Sequence, residues 1–169
     1  MGSGASRAIG LENRGAAAPL TRVMREAALW VLGAIALIML VALLSYSRLD
    51  PGFSHTGHGA PLRNQIGAIG AWFADVAYSL FGAPAILFPA MVMLAGWIIF
   101  NARTSPEPID RTLMMTRTGG FLLTLASSCA LATLHFDGGD LPASAGGGFG
   151  ELLGRGLAAG LGPLGATLL

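Results

Sequence analysis

Three long apolar segments alternate with polar, turn-rich stretches along this chain. The first segment, residues 27–47, contains twenty-one residues without a charge. A bilayer core about 30 Å thick is crossed by a helix of roughly 20 apolar residues. The pattern therefore predicts membrane spans over 27–47, 84–101 and 112–134, and the start of a fourth span over 163–169.

A polar stretch follows the first predicted span. Asp50 must leave the lipid, because a charged group is costly there and Pro51 cannot continue the helical hydrogen bonds. Residues 50–63 are therefore predicted to form an aqueous loop, and residues 135–148 a second one. Residues 1–21 lack an apolar period and are predicted to be a mobile cytoplasmic tail, ahead of a single membrane domain over 22–169.

An amphipathic helix is predicted over residues 64–81, before the second span. Its apolar residues recur at spacings of three and four: Ile66, Ile69, Phe73, Val76 and Leu80. Asp75 and Ser79 fall on another face, so we expect a helix at the membrane interface with Asp75 turned toward water. A second interfacial helix is predicted over 147–161.

The glycines suggest an internal repeat. Gly67, Gly70 and Gly82 recur at a constant offset of 80 as three further glycines, Gly147, Gly150 and Gly162. Each half then contains a span, a loop, an interfacial helix, a glycine break and a returning span. The fold class that follows is an all-α membrane protein, a polytopic helical bundle with three complete spans and a fourth that is truncated at Leu169.

Composition supports the membrane class and excludes some functions. The chain is 53% hydrophobic and 11% charged, with a net charge near +1, so we expect no direct nucleic-acid binding, which needs clustered cations. Lysine is absent, so a phosphate-binding G-x-x-x-x-G-K-[ST] loop is impossible and no nucleotide binding of that type is expected. Because Cys129 is the only cysteine, no disulfide forms within the chain.

The arginines predict the orientation. Seven precede the first span or follow the second: Arg7, Arg14, Arg22, Arg25, Arg103, Arg111 and Arg117. The opposite side carries only Arg48, Arg63 and Arg155. Since arginine-rich short loops stay in the cytoplasm, we expect a cytoplasmic N-terminus and two external loops.

Three groups of polar side chains are candidates for chemistry. His55 and His58 near Asp50 are potential metal ligands, but two exposed loop histidines are the favoured interpretation. Asp75 could mark an ion pathway, and Ser127 with Ser128 could supply a nucleophile, although no base lies at their depth. We therefore assign no catalytic, cofactor-binding or metal-binding residue and expect no cofactor.

Small residues predict helix contacts. The third span offers a small-residue surface: Ala126, Ser127, Ser128, Cys129, Ala130 and Ala132. Gly150-x-x-x-Gly154 is a weak match to the small-residue dimer motif. If several copies assemble, we expect the third-span surface and the interfacial helices to form the contacts.

The polar exit from the first span carries a family resemblance. The run Ser45 to Ser54, with Asp50-Pro51 and Phe53, is followed by Asn64, then by Gly70-Ala71-Trp72-Phe73-Ala74-Asp75 and Phe81-Gly82. This order resembles the N-terminal four-helix membrane region of the bacterial FtsK/SpoIIIE-type DNA translocases, from about Arg22 to Leu169. Gly52 stands where that family usually has serine.

The resemblance implies a multi-pass region of the bacterial inner membrane at the division septum. It would tether a cytoplasmic ATP-driven DNA motor, absent from this chain, that acts in cell division and chromosome segregation. The implied partners are the lipid bilayer, other division proteins and further copies gathered by the motor; the region itself is not expected to be an enzyme. The alternatives are a small transporter or channel subunit, suggested by the repeated halves and broken helices, and an unrelated structural membrane protein.

Overall fold

A computed structural model describes residues 3–56, 61–101 and 111–168, and within these ranges the regular structure is helical. Five α-helices and one short 3-10 helix follow one another. They are α1 (Ser3–Leu44), α2 (Ala68–Phe81), the 3-10 turn (Ala83–Ile86), α3 (Leu87–Asn101), α4 (Arg111–His135) and α5 (Gly147–Leu168). The predicted all-α class is confirmed.

Three of these helical segments are long and apolar enough to cross a bilayer. They cover Arg22–Leu44, Ala83–Asn101 and Arg111–His135, with 23, 19 and 25 residues. Near the start of the first segment, Arg22 and Glu26 form an exposed ion pair of 3.0 Å, one turn apart, a spacing that suits a helix. The backbone of α1 is already helical from Ser3; the mobility of the tail stays a prediction.

The 3-10 turn separates α2 from α3 and determines where the second apolar helix begins. Gly82 adopts a positive φ of 61°, which an L side chain rarely tolerates. Pro84 lies inside the turn, and Pro89 is the third residue of α3. Because the first backbone N–H groups of a helix have no partner within that helix, Pro89 is accommodated in the first turn without interrupting the ladder.

The breaks support the repeat. Gly67 and Gly147 precede or begin α2 and α5, and both have a positive φ. Gly82 and Gly162 likewise have positive φ; the first ends α2 and the second interrupts α5. Glycines that lie 80 residues apart at these breaks therefore share a positive φ as well as the residue type.

Small residues bring neighbouring helices together. In α5 a side chain at Gly150 would overlap the carbonyl oxygen of Cys129, and one at Gly154 would lie 3.1 Å from the carbonyl oxygen of Ala130. Cys129 and Ala130 are buried in α4. The predicted close helix contact of the third span thus exists within the chain, where α5 is its partner, and a contact between copies stays a prediction.

The loops gather at one end of the bundle, which we call the loop end: residues 45–56, 61–67 and 136–146. Arg48 in the first loop donates from Nε to the carbonyl oxygen of Asp140 at 2.6 Å and from its terminal nitrogen to that of Gly139 at 3.3 Å. The first and second loops are therefore joined. Beneath them lies a small apolar core, comprising Leu43, Ala74, Ala77 and Ala85 with five aromatic neighbours, Tyr46, Phe73, Tyr78, Phe81 and Phe88.

Candidate functional site

The polar side chains of the loop end form a buried network around two acidic residues. Asp75 lies on the inner face of α2 and is 1% exposed. Its Oδ1 accepts hydrogen bonds from the Tyr46 hydroxyl at 3.1 Å and the Ser54 hydroxyl at 2.9 Å, and its Oδ2 accepts one from the Ser54 backbone N–H at 2.6 Å. Three donors therefore converge on one buried carboxyl group.

The predicted water-facing position of Asp75 is wrong. The side of α2 that packs inward consists of small residues together with the acid: Gly70, Ala71, Ala74, Asp75 and Ala77. These small side chains let the helix approach α1 closely, which buries Asp75. The hydrogen bonds offset the loss of hydration that would otherwise make this burial unfavourable.

Asp50 is the second buried acid, and it joins the two ends of the first loop. It is 3% exposed, and its two oxygens accept the backbone N–H groups of Arg63 and Asn64, each at 2.7 Å. The acid that follows α1 therefore holds the residues that precede α2. The sequence correctly placed Asp50 beyond the helix, but it did not indicate burial.

The end of α1 is capped by side chains from other elements. Asn64 donates to the carbonyl oxygen of Ala42 at 2.8 Å, while its own Oδ1 accepts the N–H of Ile66 at 3.0 Å. The Tyr78 hydroxyl donates to the carbonyl oxygen of Leu43 at 3.0 Å. The last carbonyls of a helix lack partners within the helix, so these bonds end α1 without requiring water at each carbonyl.

Glycine is required at two positions of this network. A side chain at Gly52 would lie 2.6 Å from Asp75 Oδ2, and one at Gly70 would lie 2.5 Å from Asn64 Oδ1. Both distances are below van der Waals contact. A serine at position 52 would therefore require Asp75 or the loop to shift in this chain.

Tyr46 joins the network to the aromatic core. Its ring lies 5.1 Å from that of Tyr78 in an edge-to-face arrangement, which is a favourable geometry. Burial, followed by the neighbouring Asp75 charge and hydrogen bond, raises the pKa of the Tyr46 hydroxyl. The proton that Tyr46 donates to Asp75 is thus retained in the folded protein above the pH at which a free tyrosine ionises.

A pH titration of Tyr46 is a direct test of this network. We expect the tyrosinate absorbance of a Tyr78→Phe variant, in which Tyr46 is the one remaining tyrosine, to appear well above pH 10 in folded protein. Because the folded-state pKa is raised, the stabilisation is complete below the ordinary pKa near 10 and is lost as pH rises from there through the folded-state pKa. Adding Asp75→Asn should lower that pKa, whereas ionisation near pH 10 in both folded proteins would contradict the network.

The structure describes one of the two histidines that the sequence offers as metal ligands. His58 lies outside the described residues. His55 Nδ1 lies 2.8 Å from the Ser54 hydroxyl and 3.8 Å from Asp75 Oδ1, so its neighbour is Asp75 rather than Asp50. Across residues 3–56, 61–101 and 111–168 no group of three or more metal-ligating side chains occurs.

The contact of Ser54, His55 and Asp75 was not foreseen from the sequence, because 21 residues separate Ser54 from Asp75. It does not have the order of a hydrolytic triad, in which histidine lies between serine and acid. Here the Ser54 hydroxyl donates directly to Asp75. The arrangement therefore joins the first loop to α2.

Of the two α4 serines considered as nucleophiles, Ser127 bonds to the backbone of its own helix. The hydroxyl of Ser127 donates to the carbonyl oxygens of Leu123 at 2.9 Å and Thr124 at 3.1 Å. Thr124 makes the same kind of bond with Gly120 at 2.8 Å. These hydroxyls donate hydrogen bonds to backbone carbonyls of their own helix, as is common in apolar surroundings.

The fold and the network define a class: a multi-pass helical membrane domain whose buried polar groups join the helices at one end. The chain is matched over residues 21–169 by the family model described as the 4TM region of DNA translocase FtsK/SpoIIIE. It therefore belongs to the FtsK/SpoIIIE DNA translocase family and corresponds to its four-span membrane region.

Individual relatives agree with this assignment. The chain is 39% identical to a DNA translocase FtsK of Pseudomonas putida over 132 residues, covering 78% of this chain and 16% of the relative. It is 36% identical over 148 residues to that of Pseudomonas syringae pv. syringae, covering 86% of this chain and 18% of the relative. The chain thus spans less than a fifth of the length of these two relatives. No solved structure matches it significantly.

Proposed function

We infer that this region anchors a septal DNA translocase in the bacterial inner membrane and tethers a DNA motor that lies in another part of the longer protein. The observation that carries the inference is the family match over residues 21–169, together with three helices long enough to span a bilayer. The described geometry is consistent with a structural role, because the acidic side chains of the loop end accept hydrogen bonds from their own chain.

We further infer that this region is not itself an enzyme. The family match falls on the membrane region, and a chain without lysine lacks the Walker-type loop. A transporter would be expected to carry polar groups that converge near mid-membrane. In α4 the hydroxyls of Thr124 and Ser127 bond to their own helix, which favours the anchor over the transporter.

The proposed function is tested by localisation. We expect residues 1–169 fused at the C-terminus to a fluorescent protein to collect at the division site of growing cells, because the implied partners are other division proteins. The control is the same fluorescent protein fused to an unrelated three-span membrane segment. Even distribution of both fusions around the envelope would contradict a septal role.

The orientation is a separate proposal. Because seven of the ten arginines lie on the tail side, we place the N-terminus in the cytoplasm and the loop end outside. In a Cys129→Ser background, a membrane-impermeant thiol reagent applied to intact spheroplasts should label Asp137→Cys and spare Ala5→Cys. Labelling of residue 5 before lysis would reverse the topology.

A further inference from the structure

An apolar ridge runs along the exposed side of α2. It is formed by Ile69, Trp72, Val76 and Leu80, spaced so that they share one helix face. Ile69 is 82% exposed, Trp72 54% and Leu80 46%, while Val76 is half-buried. The opposite face holds the buried Asp75. The helix therefore presents large apolar side chains outward and small residues with one acid inward, unlike a helix between a core and water, whose outer face is polar.

The two ends of α2 determine how deep it lies. Before its start, Asn64 caps the end of α1 through the carbonyl of Ala42. At its other end, the Cys129 thiol donates to the carbonyl oxygen of Phe81 at 3.4 Å. Cys129 precedes the end of α4 at His135 by six residues, or about 9 Å along a helix axis. The C-terminal end of α2 thus lies beside the membrane-spanning length of α4.

The surroundings of the ridge indicate what covers it. Leu44, the last residue of α1, is 70% exposed, so the apolar surface of the first span continues toward the ridge. The Phe53 ring packs edge-on against Trp72 at 6.4 Å, and amphipathic tryptophan is enriched at the level of the lipid headgroups. Asp75 is the only charged residue of α2, and its side chain faces inward.

We propose that α2 is seated in the leaflet at the loop end, with its ridge against lipid acyl chains and Asp75 turned into the protein. This differs from an interfacial helix with a water-facing acid. In this position α2 carries the Asp75 carboxyl group below the headgroups, where an unpartnered polar group is costly. The hydrogen bonds from Tyr46 and Ser54 offset that cost. The inference rests on the anchor proposal only in requiring that the chain spans a bilayer.

Tryptophan quenching tests this placement in the full chain. The chain has three tryptophans; a Trp30→Phe/Trp97→Phe variant leaves Trp72, and a Trp30→Phe/Trp72→Phe variant leaves Trp97 in α3 as a span control. Each is reconstituted into vesicles of phosphatidylethanolamine and phosphatidylglycerol with bromine placed either near the headgroup or near the chain terminus. Aqueous acrylamide is the complementary quencher.

We expect brominated lipid to quench Trp72 as extensively as Trp97, with headgroup-proximal bromine the more effective position for Trp72. Acrylamide should quench Trp72 no more than Trp97. Strong acrylamide quenching with little bromine quenching would place the ridge in water and overturn the proposal. Weak quenching by both agents would place a protein surface, such as a second copy, on the ridge and would also overturn it.

A second measurement separates this result from folding and from anchoring. An Ile69→Cys variant in a Cys129→Ser background, carrying a nitroxide label, should collide more often with oxygen than with an aqueous nickel chelate, while the exposed loop variant Asp137→Cys should show the reverse. Retention of helical circular dichroism shows that each variant is folded. If both labels favour the nickel chelate while the protein remains membrane-bound, the seating of α2 fails and the anchor proposal stands.

Discussion

Replacing Asp75 by alanine is expected to lower the free energy of unfolding by about 2–4 kcal/mol, because buried donors would lose their acceptor. The Ser54 N–H and the Tyr46 hydroxyl both point at this carboxyl group. The measurement is unfolding in mixed micelles with increasing sodium dodecyl sulfate, followed by circular dichroism. Asp75→Asn keeps the size and one acceptor oxygen and should give a smaller loss.

Asp137→Ala is the matched control. Asp137 is an exposed acid in the second loop, and surface substitutions of this kind usually change stability by less than about 0.5 kcal/mol. The comparison therefore removes the general effect of deleting a negative charge. Equal stabilities of Asp75→Ala and Asp137→Ala would show that the network does not hold α2 to α1.

Replacing Gly150 by alanine is expected to destabilise the protein by about 1–3 kcal/mol, the usual effect of adding a methyl group to a closely packed contact. The added methyl group would overlap the Cys129 carbonyl oxygen and approach the Thr133 hydroxyl. Since backbone atoms of α4 cannot rotate away, α5 must move. The same micelle unfolding experiment measures the change.

Gly156→Ala supplies a control in the same helix. A side chain at Gly156 would meet no atom within 4 Å, and alanine is favoured over glycine inside helices by about 0.5–1 kcal/mol. The two identical substitutions should thus act in opposite directions. A destabilisation at Gly156 equal to that at Gly150 would mean that α5 does not pack on α4 through the Gly150 face.

The sequence predicted the helices well for a physical reason that applies along each one. Comparing the length of an apolar segment with the thickness of the bilayer requires no knowledge of the helices that pack against it. The long apolar helices could therefore be inferred from residues 22–135 alone. Glycine is also a local signal, because it tolerates the positive φ that Gly82 and Gly162 adopt where their helices break. The repeat was therefore visible before the structure.

The wrong face assigned to Asp75 illustrates the limit of periodicity. A helical period separates polar from apolar residues, but in a membrane it does not state which face is inward, because lipid and protein core are both apolar. The inward face of α2 is decided by hydrogen bonds to Asp75 from Ser54 and Tyr46, which lie 21 and 29 residues before it in the sequence. No sequence pattern around Ser54 or Tyr46 identifies Asp75 as the acceptor of their hydrogen bonds.

By itself, the sequence determined the all-α membrane class, the apolar helices, the glycine breaks and the family resemblance carried by Ser45 to Ser54. These properties depend on local composition and backbone conformation. Only the tertiary structure decided that Asp50, Asn64 and Asp75 are buried, that the glycines of α5 pack on α4 of the same chain, and that the apolar face of α2 is exposed. Those properties depend on which donor meets which acceptor when distant segments come together, and no single segment encodes that pairing.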